Sequence, residues 1–417
     1  MLSILEASAR ILAPLGIGPP ETVPLAEALG RVLAHDVLSS VSLPLWPNSA
    51  MDGYAARARD IRGASSASPV RLTVTQSIAA GEFPGLPVGQ GQAARIMTGA
   101  PIPLGADSVV RVEDTDAGEQ TVTIRDERDA GRNVRPAGED IAAGAVAVQS
   151  RVVLRPSAIA MLAAVGCAMI DVVRRPRVAI LGSGDELVPV ERFEEVTSGR
   201  RIVATNSYAI GAIVREAGGE AVDLGIAPDD AHAIAALLRG ATGIDLFVTT
   251  GGISVGAHDH TRTVVSQLGA IDFWRVRMRP GAQTAFGNIG GVPWIGLPGN
   301  PVSALITGEL FVRAAVLRLS GLRAVHRVPV AVRVLERVTG SPGMTHLFRA
   351  TVERAAGVRE ARLTGPQGSG LLSSMARADA LLVVPEERPL IEAGESATAI
   401  PLGPSEMAER LSLHAER

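Results

Sequence analysis

The spacing of apolar residues changes character four times along the chain. In residues 1–44, Ile4, Leu5, Ile11 and Leu12, then Val23, Leu25 and Ala28, follow a helical spacing that Pro19-Pro20 and Pro44 interrupt. From about 45 to 137 the runs RLTVTQSI, AARIM, DSVVRVE and QTVTIRDE lie between Gly/Pro-rich turns and predict short strands. A second helical stretch is expected over about 156–171, so the β-rich zone reads as an insertion between two helical segments. From 174 to 322, RVAIL, AVDLG, DLFVTT, IDFWRV and VPWIGLP read as strands, with helical patterns after RVAIL, AVDLG, DLFVTT and VPWIGLP. That order predicts a parallel, three-layer α/β sheet with right-handed crossovers. From about 325 onward VPVAVRVLERV, HLFRATVERA, ALLVVPEE and SATAIPL predict a separate small β unit.

Composition narrows the chemistry. The chain has 417 residues and a net charge of -3, which argues against a nucleic-acid binder, and 3% aromatics argue against a single-strand stacking surface. All 40 basic residues are arginine, which excludes a Schiff-base, pyridoxal-phosphate or P-loop lysine. The single cysteine, Cys167, excludes an intrachain disulfide and a cysteine zinc site, and its apolar surroundings suit a small packed side chain. The longest apolar run, 158–170, is short of the roughly 20 residues that span a bilayer. The N-terminal segment, with Glu6, reads as a helix, not a signal peptide, so a cytoplasmic enzyme without membrane contact is expected.

In an open α/β sheet ligands bind beyond the carboxyl ends of the strands. Three loops fall there: GSGDEL after RVAIL, GGISVGAHDH after DLFVTT and PGNPVSA after VPWIGL. Gly251 and Gly252 let backbone N–H groups approach a phosphate and Ser254 adds a hydroxyl, although the same residues also make a tight turn. Pro298-Gly299-Asn300-Pro301 opens a helix and presents N–H groups to an anion. GSGDEL fails the dinucleotide fingerprint, because Leu187 occupies the third glycine position. Glu186, Asp229 and Asp259 each lie near a strand's carboxyl end, and such a set beside a phosphate loop suits Mg2+ with oxygen ligands. Asp229-Asp230 also reads as a helix cap, and His258 and His260 read as a solvated loop more readily than as metal ligands. Alternation in RVRMR places Arg275, Arg277 and Arg279 on one face, opposite Val276 and Met278, where they supply anion-binding charge or simply a basic surface.

The motifs PLWPNSAMDGYA, RIMTGAPIPLGADSVVRVED, GRNVRPAGEDIAAG, RPRVAILGSGDEL, TTGGISVGAHDH and IGLPGNPVSAL occur in that order over nearly the whole chain. Together they resemble the MoeA/gephyrin E-domain family of molybdopterin molybdenumtransferases. The resemblance implies a multidomain α/β plus β fold. An elongated helical linking domain would comprise 1–44 and 138–173, and an inserted β-rich domain 45–137. A molybdopterin-binding α/β domain would span 174–323, with a barrel-like β domain at 324–417. It implies molybdenum cofactor biosynthesis: metal from molybdate is inserted into adenylylated molybdopterin with Mg2+, and AMP is released. It further implies a homodimer whose site lies between the α/β domain of one subunit and the inserted domain of the other. A molybdopterin adenylyltransferase and apo-molybdoenzymes or delivery proteins would be its partners.

Motif by motif, the resemblance assigns Asp52, Thr98, Arg135, Glu139 and Asp140 to functional positions in and beside the inserted domain. In the α/β domain it assigns Glu186, Asp229, Asp259, Arg275, Arg279, Pro298 and Pro301, with Ser373 or Ser374 from the last domain. Glu186, Asp229, Asp259, Asp52 and Asp140 are the catalytic candidates, the first three also as metal ligands. Thr98, Arg135, Gly251, Gly252, Ser254, Arg275, Arg279, Pro298, Pro301 and Ser373 are the substrate-binding candidates. The chain departs from the family's K-P-G-K-P run, where Arg279-Pro280-Gly281-Ala282-Gln283 stands. Ala282 drops one charge, and a lost charge-assisted contact costs about 1.5–3 kcal/mol. This departure keeps a second reading open, a non-catalytic protein that binds and delivers molybdopterin or the finished cofactor.

Overall fold

The computed structural model of the chain describes residues 1–252, 260–355 and 357–403. At its centre is a six-stranded sheet built from β1 (Arg177–Ser183), β2 (Glu220–Ala227), β3 (Leu246–Thr250), β4 (Gly269–Phe273), β5 (Ala285–Ile289) and β6 (Val292–Leu297), in the order β2-β1-β3-β6-β5-β4. β2, β1, β3 and β6 run parallel, as the strand–helix alternation requires. β5 runs antiparallel to both neighbours, so the sheet is mixed at that end. Helices α1 (Thr205–Glu216), α2 (Ala231–Gly240) and α3 (His260–Leu268) connect the strands. The long apolar stretch after β6 is helical from Pro301 to Leu319, with a π-turn over Gly308–Val312. One core lies on each face of the sheet. On one, Ile180, Val248 and Ile295 pack with Ile210, Val214 and Val302; on the other, Leu181, Phe247 and Trp294 pack with Ile234, Leu238 and Val264.

The N-terminal helix is confined to Ile4–Leu12, started by a Ser3/Glu6 capping box, and buries Ala7 and Ile11 in the first of these cores. Beyond it the helical expectation holds only in part. Pro20–Pro24 is a strand paired antiparallel with Met169–Val173, and the second helix stops at Ala164. Pro20 and Pro24 stand at the ends of that short strand, where missing N–H groups are tolerated; of the Val23, Leu25 and Ala28 stretch only Leu25–Glu27 is helical, a single 3-10 turn ending at Ala28. Cys167 packs beside this ribbon with Leu162 and Ile170.

Residues 53–124 hold a five-stranded sheet with its own core around Tyr54, Ile61, Leu72 and Val122. At the C-terminal end, strands Val330–Val334, Thr345–Ala355, Val358–Leu363, Ala380–Val384 and Ser396–Pro401 close on themselves into a barrel through the Thr345–Ala355 and Ala380–Val384 pairing. No helix among the described residues is long and apolar enough to cross a membrane.

Candidate functional site

The carboxyl ends of β1, β3 and β6 open into a cleft of about 520 Å³. Its walls bring together Glu186, Asp229, Gly251, Gly252, Asn300 and Pro301, all carried by the loops at those strand ends or after β2. Asp229 and Asp230 divide the two roles that sequence left open. Asp230 caps α2 by accepting the Ala233 N–H at 2.8 Å, while Asp229 accepts the Ser183 hydroxyl at 3.1 Å and faces the cleft. Glu186 is exposed; its backbone carbonyl accepts the Ile202 N–H at 2.8 Å, and its carboxylate makes no hydrogen bond or ion pair among the described residues. Pro298 is buried just behind the cleft, and Asn206 Nδ2 donates to the Gly299 carbonyl at 2.8 Å, tying α1 to this loop. Gly251 has a φ of +84°, and a Cβ there would lie 2.6 Å from the Ser183 carbonyl oxygen, so the β3 loop touches the end of β1 as only glycine permits. Ser254, His258 and Asp259 lie outside the described residues.

The charge of this cleft decides how it can work. Glu186 and Asp229 contribute two carboxylates, and no arginine lines it among the described residues; the stretch 253–259, ISVGAHD, holds none either. The three arginines of RVRMR alternate with buried Val276 and Met278 as expected, yet they do not converge on the cleft. Arg277 is held by Glu386 at 2.9 Å and by the Met1 carbonyl at 2.8 Å, a structural clamp, which corrects its expected part in the anion site. Arg275 is exposed and its backbone carbonyl bonds Leu2 N–H.

Arg279 instead lines a neighbouring cavity of about 460 Å³, with His346, Arg349, Gln367, Gly368 and Ser369. The Arg279–Gln283 turn separates the two spaces: Gln283 faces the carboxylate cleft, Arg279 the basic cavity. Val302 N–H donates to the Ser369 carbonyl at 3.1 Å and joins the helix start to the barrel. Sequence reading missed Arg349. It is fully buried in a strand, and its guanidinium donates to the carbonyls of Pro366, Gln367 and Gly368 and to Ser374 Oγ, at 3.0–3.1 Å. Arginine in an alternating strand normally points outward, so no pattern in the sequence marks it. Ser373 is exposed on the short helix Leu372–Ala376, whereas Ser374 belongs to the Arg349 network. Burial and the nearby Arg279 push the His346 imidazole below the usual histidine range, and its Nε2 accepts the Ser341 N–H at 2.8 Å.

A second polar group forms on the inserted sheet. Asp52 Oδ1 accepts both the Thr98 N–H and its hydroxyl, each at 2.7 Å, which holds the carboxyl below the usual aspartate range. Arg135 pairs in register with Asn48, and Asp140 N–H donates to the Leu43 carbonyl at 3.0 Å; Arg135, Glu139 and Asp140 are exposed. None of these residues lines the carboxylate cleft of the same chain.

Three family models match in sequence order. They are the MoeA N-terminal region (domain I and II) over residues 2–166, a probable molybdopterin binding domain over 179–318, and the MoeA C-terminal region (domain IV) over 331–402. The chain belongs to the MoeA family. It is 37% identical over 386 residues to molybdopterin molybdenumtransferase 2 of Mycobacterium tuberculosis, covering 90% of this chain and 93% of that one. It is 33% identical over 413 residues to the molybdopterin molybdenumtransferase of Haemophilus influenzae, covering 96% and 98%. Among solved structures, the molybdopterin biosynthesis MoeA protein of Pyrococcus horikoshii superposes with a TM-score of 0.82 at 31% identity, covering 96% of this chain and 99% of that one. The MoeA match therefore spans both polar groups and the cavity around Arg279.

Proposed function

We propose that this MoeA-family chain acts in molybdenum cofactor biosynthesis, inserting molybdenum from molybdate into adenylylated molybdopterin with release of AMP. The observation that carries the mechanism is the charge of the cleft. Two carboxylates with no arginine among its described walls repel a pyrophosphate, so the substrate needs positive charge from elsewhere. The donor set suits Mg2+, which is commonly held by one or two carboxylates together with substrate phosphates, and Glu186 with Asp229 would hold it. Bound there, the ion would neutralise the phosphates and polarise the anhydride between pterin phosphate and adenylate.

The chain's own residues do the rest. Ser183 fixes Asp229, Gly252 offers its backbone N–H to a phosphate oxygen while that of Gly251 is already donated to the Leu297 carbonyl at 3.2 Å, and Arg279 with its basic cavity receives the oxyanion. The remaining positive charge comes from a second subunit in a homodimer. Arg135 of the partner subunit, on the two-stranded ribbon with Asn48, would reach the cleft of this chain together with the Asp52–Thr98 pair. Ala282 in place of a charged residue favours the second reading, a carrier that binds the pterin without turnover.

Mixed dimers test the shared site. Chains carrying Asp52→Ala and Asp229→Ala are each expected to be inactive. Mixed at random they should regain about a quarter of wild-type AMP release, since half the dimers hold one intact composite site. No regain from the mixture refutes the shared site. Stoichiometric pterin binding by wild type without AMP release would establish the carrier.

A further inference from the structure

One titratable side chain in the basic cavity around Arg279 has no part in the proposed reaction: His346. Arg279 and His346 are direct partners where the short strand Met278–Arg279 pairs with Thr345–Ala355, and both line the cavity. The imidazole is buried and fixed on three sides. Phe348 stacks on it with ring centroids 5.4 Å apart. Gly340 lies flat against it, since a Cβ there would stand 2.9 Å from the ring's Cδ2. Nε2 accepts the Ser341 N–H at 2.8 Å, so in the neutral ring Nδ1 carries the proton. No carboxylate lines the cavity among the described residues; its charged side chains are Arg279 and Arg349. Glu386, just beyond the neighbouring strand Ala380–Val384, is taken up by Arg277 at 2.9 Å. Burial first, then the charge of Arg279, keeps the imidazole neutral in the free protein.

We propose that His346 couples oxyanion capture to proton uptake: neutral in the free protein, it becomes an imidazolium when a tetrahedral dianion such as molybdate binds beside Arg279. The proposal deepens the oxyanion reading of this cavity and rests on it. The balance is electrostatic. A doubly charged anion cancels the repulsion from Arg279 that holds the proton off, and adds its own attraction at close range in a site partly shielded from water. Against this stands one hydrogen bond. The incoming proton passes from solvent to Nε2, and the Ser341 N–H that it displaces is released on the cavity wall, where it can turn to the anion. One neutral hydrogen bond weighs less than a dianion–cation pair in such a site. By linkage, a proton taken up with the anion makes the anion bind more tightly as pH falls, between the anion-bound pKa of the ring and its lower free value. In a chain without lysine, histidine supplies the switchable charge.

Calorimetric titration of the full chain with sodium molybdate at pH 7, repeated in buffers of different ionisation enthalpy, counts the protons taken up per ion. Wild type should take up a measurable fraction of one proton, and its affinity should rise about threefold or more from pH 8 to pH 6.5, a range over which molybdate itself does not titrate. His346→Gln keeps an acceptor for Ser341 and a donor but cannot titrate. It should bind molybdate without proton uptake and with an affinity flat over the same range. Equal proton uptake by wild type and His346→Gln overturns the proposal, as does no uptake by a wild type that binds molybdate. Should His346→Gln fail to fold, carbon-13 NMR of the wild-type histidines decides: at pH 7 the His346 shift should move toward the imidazolium value on adding molybdate, and an unmoved shift overturns the proposal. Failure of wild type to bind molybdate removes the oxyanion reading and this inference together. Proton-coupled binding without molybdate-dependent AMP release would leave the role of His346 standing and remove the insertion reading.

Discussion

Replacing Gly251 by alanine tests the contact on which the cleft is built. The φ of +84° costs an L-residue about 1–2 kcal/mol. The new Cβ would also sit 2.6 Å from the Ser183 carbonyl oxygen, closer than the 3.0 Å that real Cβ atoms respect. Relieving such an overlap against backbone adds about 1–3 kcal/mol. Gly290→Ala is the matched control: its φ is +59°, with nothing within 4 Å of the added carbon, so it carries the conformational cost alone. Gly251→Ala should therefore melt at least about 2–4 °C below Gly290→Ala, by calorimetry on the full chain. The displaced Ser183 holds Asp229 at 3.1 Å, so AMP release should fall by about tenfold or more, whereas Gly290→Ala should turn over like wild type. Equal melting temperatures for the two variants, or full turnover by Gly251→Ala, would refute the reasoning.

Glu186→Ala and Asp229→Ala should lower AMP release about 100-fold and raise the Mg2+ concentration for half-maximal rate, with melting temperatures near wild type because both side chains are exposed. Arg349→Met should destabilise the chain by about 3 kcal/mol or more in urea titration, since it strands three carbonyls and Ser374 in a buried site. Burial keeps His346 neutral, so its folded-state pKa lies below its unfolded one and the unfolded chain binds the extra proton. Stability should thus fall as pH drops through about 6.5, and His346→Gln should flatten that dependence. The Asp52 carboxyl is depressed by Thr98, so its contribution is present above about pH 4 and lost below it. Thr98→Val should raise the Asp52 pKa in a carbon-13 NMR titration, and an unchanged value would remove Thr98 as its cause.

The elements that sequence revealed are those whose pattern has one physical reading. RVAIL and DLFVTT are continuous apolar runs, and they form the buried strands β1 and β3. The loops after these strands, and after β2 and β6, had to lie at the strands' carboxyl ends, which is why Glu186, Asp229, Gly251 and Pro301 could be placed near one another from sequence. β5 escaped because Ala285–Ile289 is short and carries Gly287 and Asn288, residues poor in strand propensity; its place comes from pairing with β6. The strand Pro20–Pro24 was hidden by its prolines and the 156–171 helix was overextended across a turn at Gly166, where the chain reverses into Met169–Val173. The fate of individual arginines was not legible at all. Arg277, Arg279 and Arg349 look alike in sequence, and only tertiary contacts make one a clamp, one a cavity wall and one a buried hub.

The most direct test of the central claim is a timed incubation of the purified chain with adenylylated molybdopterin and Mg2+, with and without molybdate, following AMP by chromatography. The account predicts AMP release that depends on molybdate and is lost in Asp229→Ala. AMP release indifferent to molybdate, or none above background while the pterin remains bound, would contradict it.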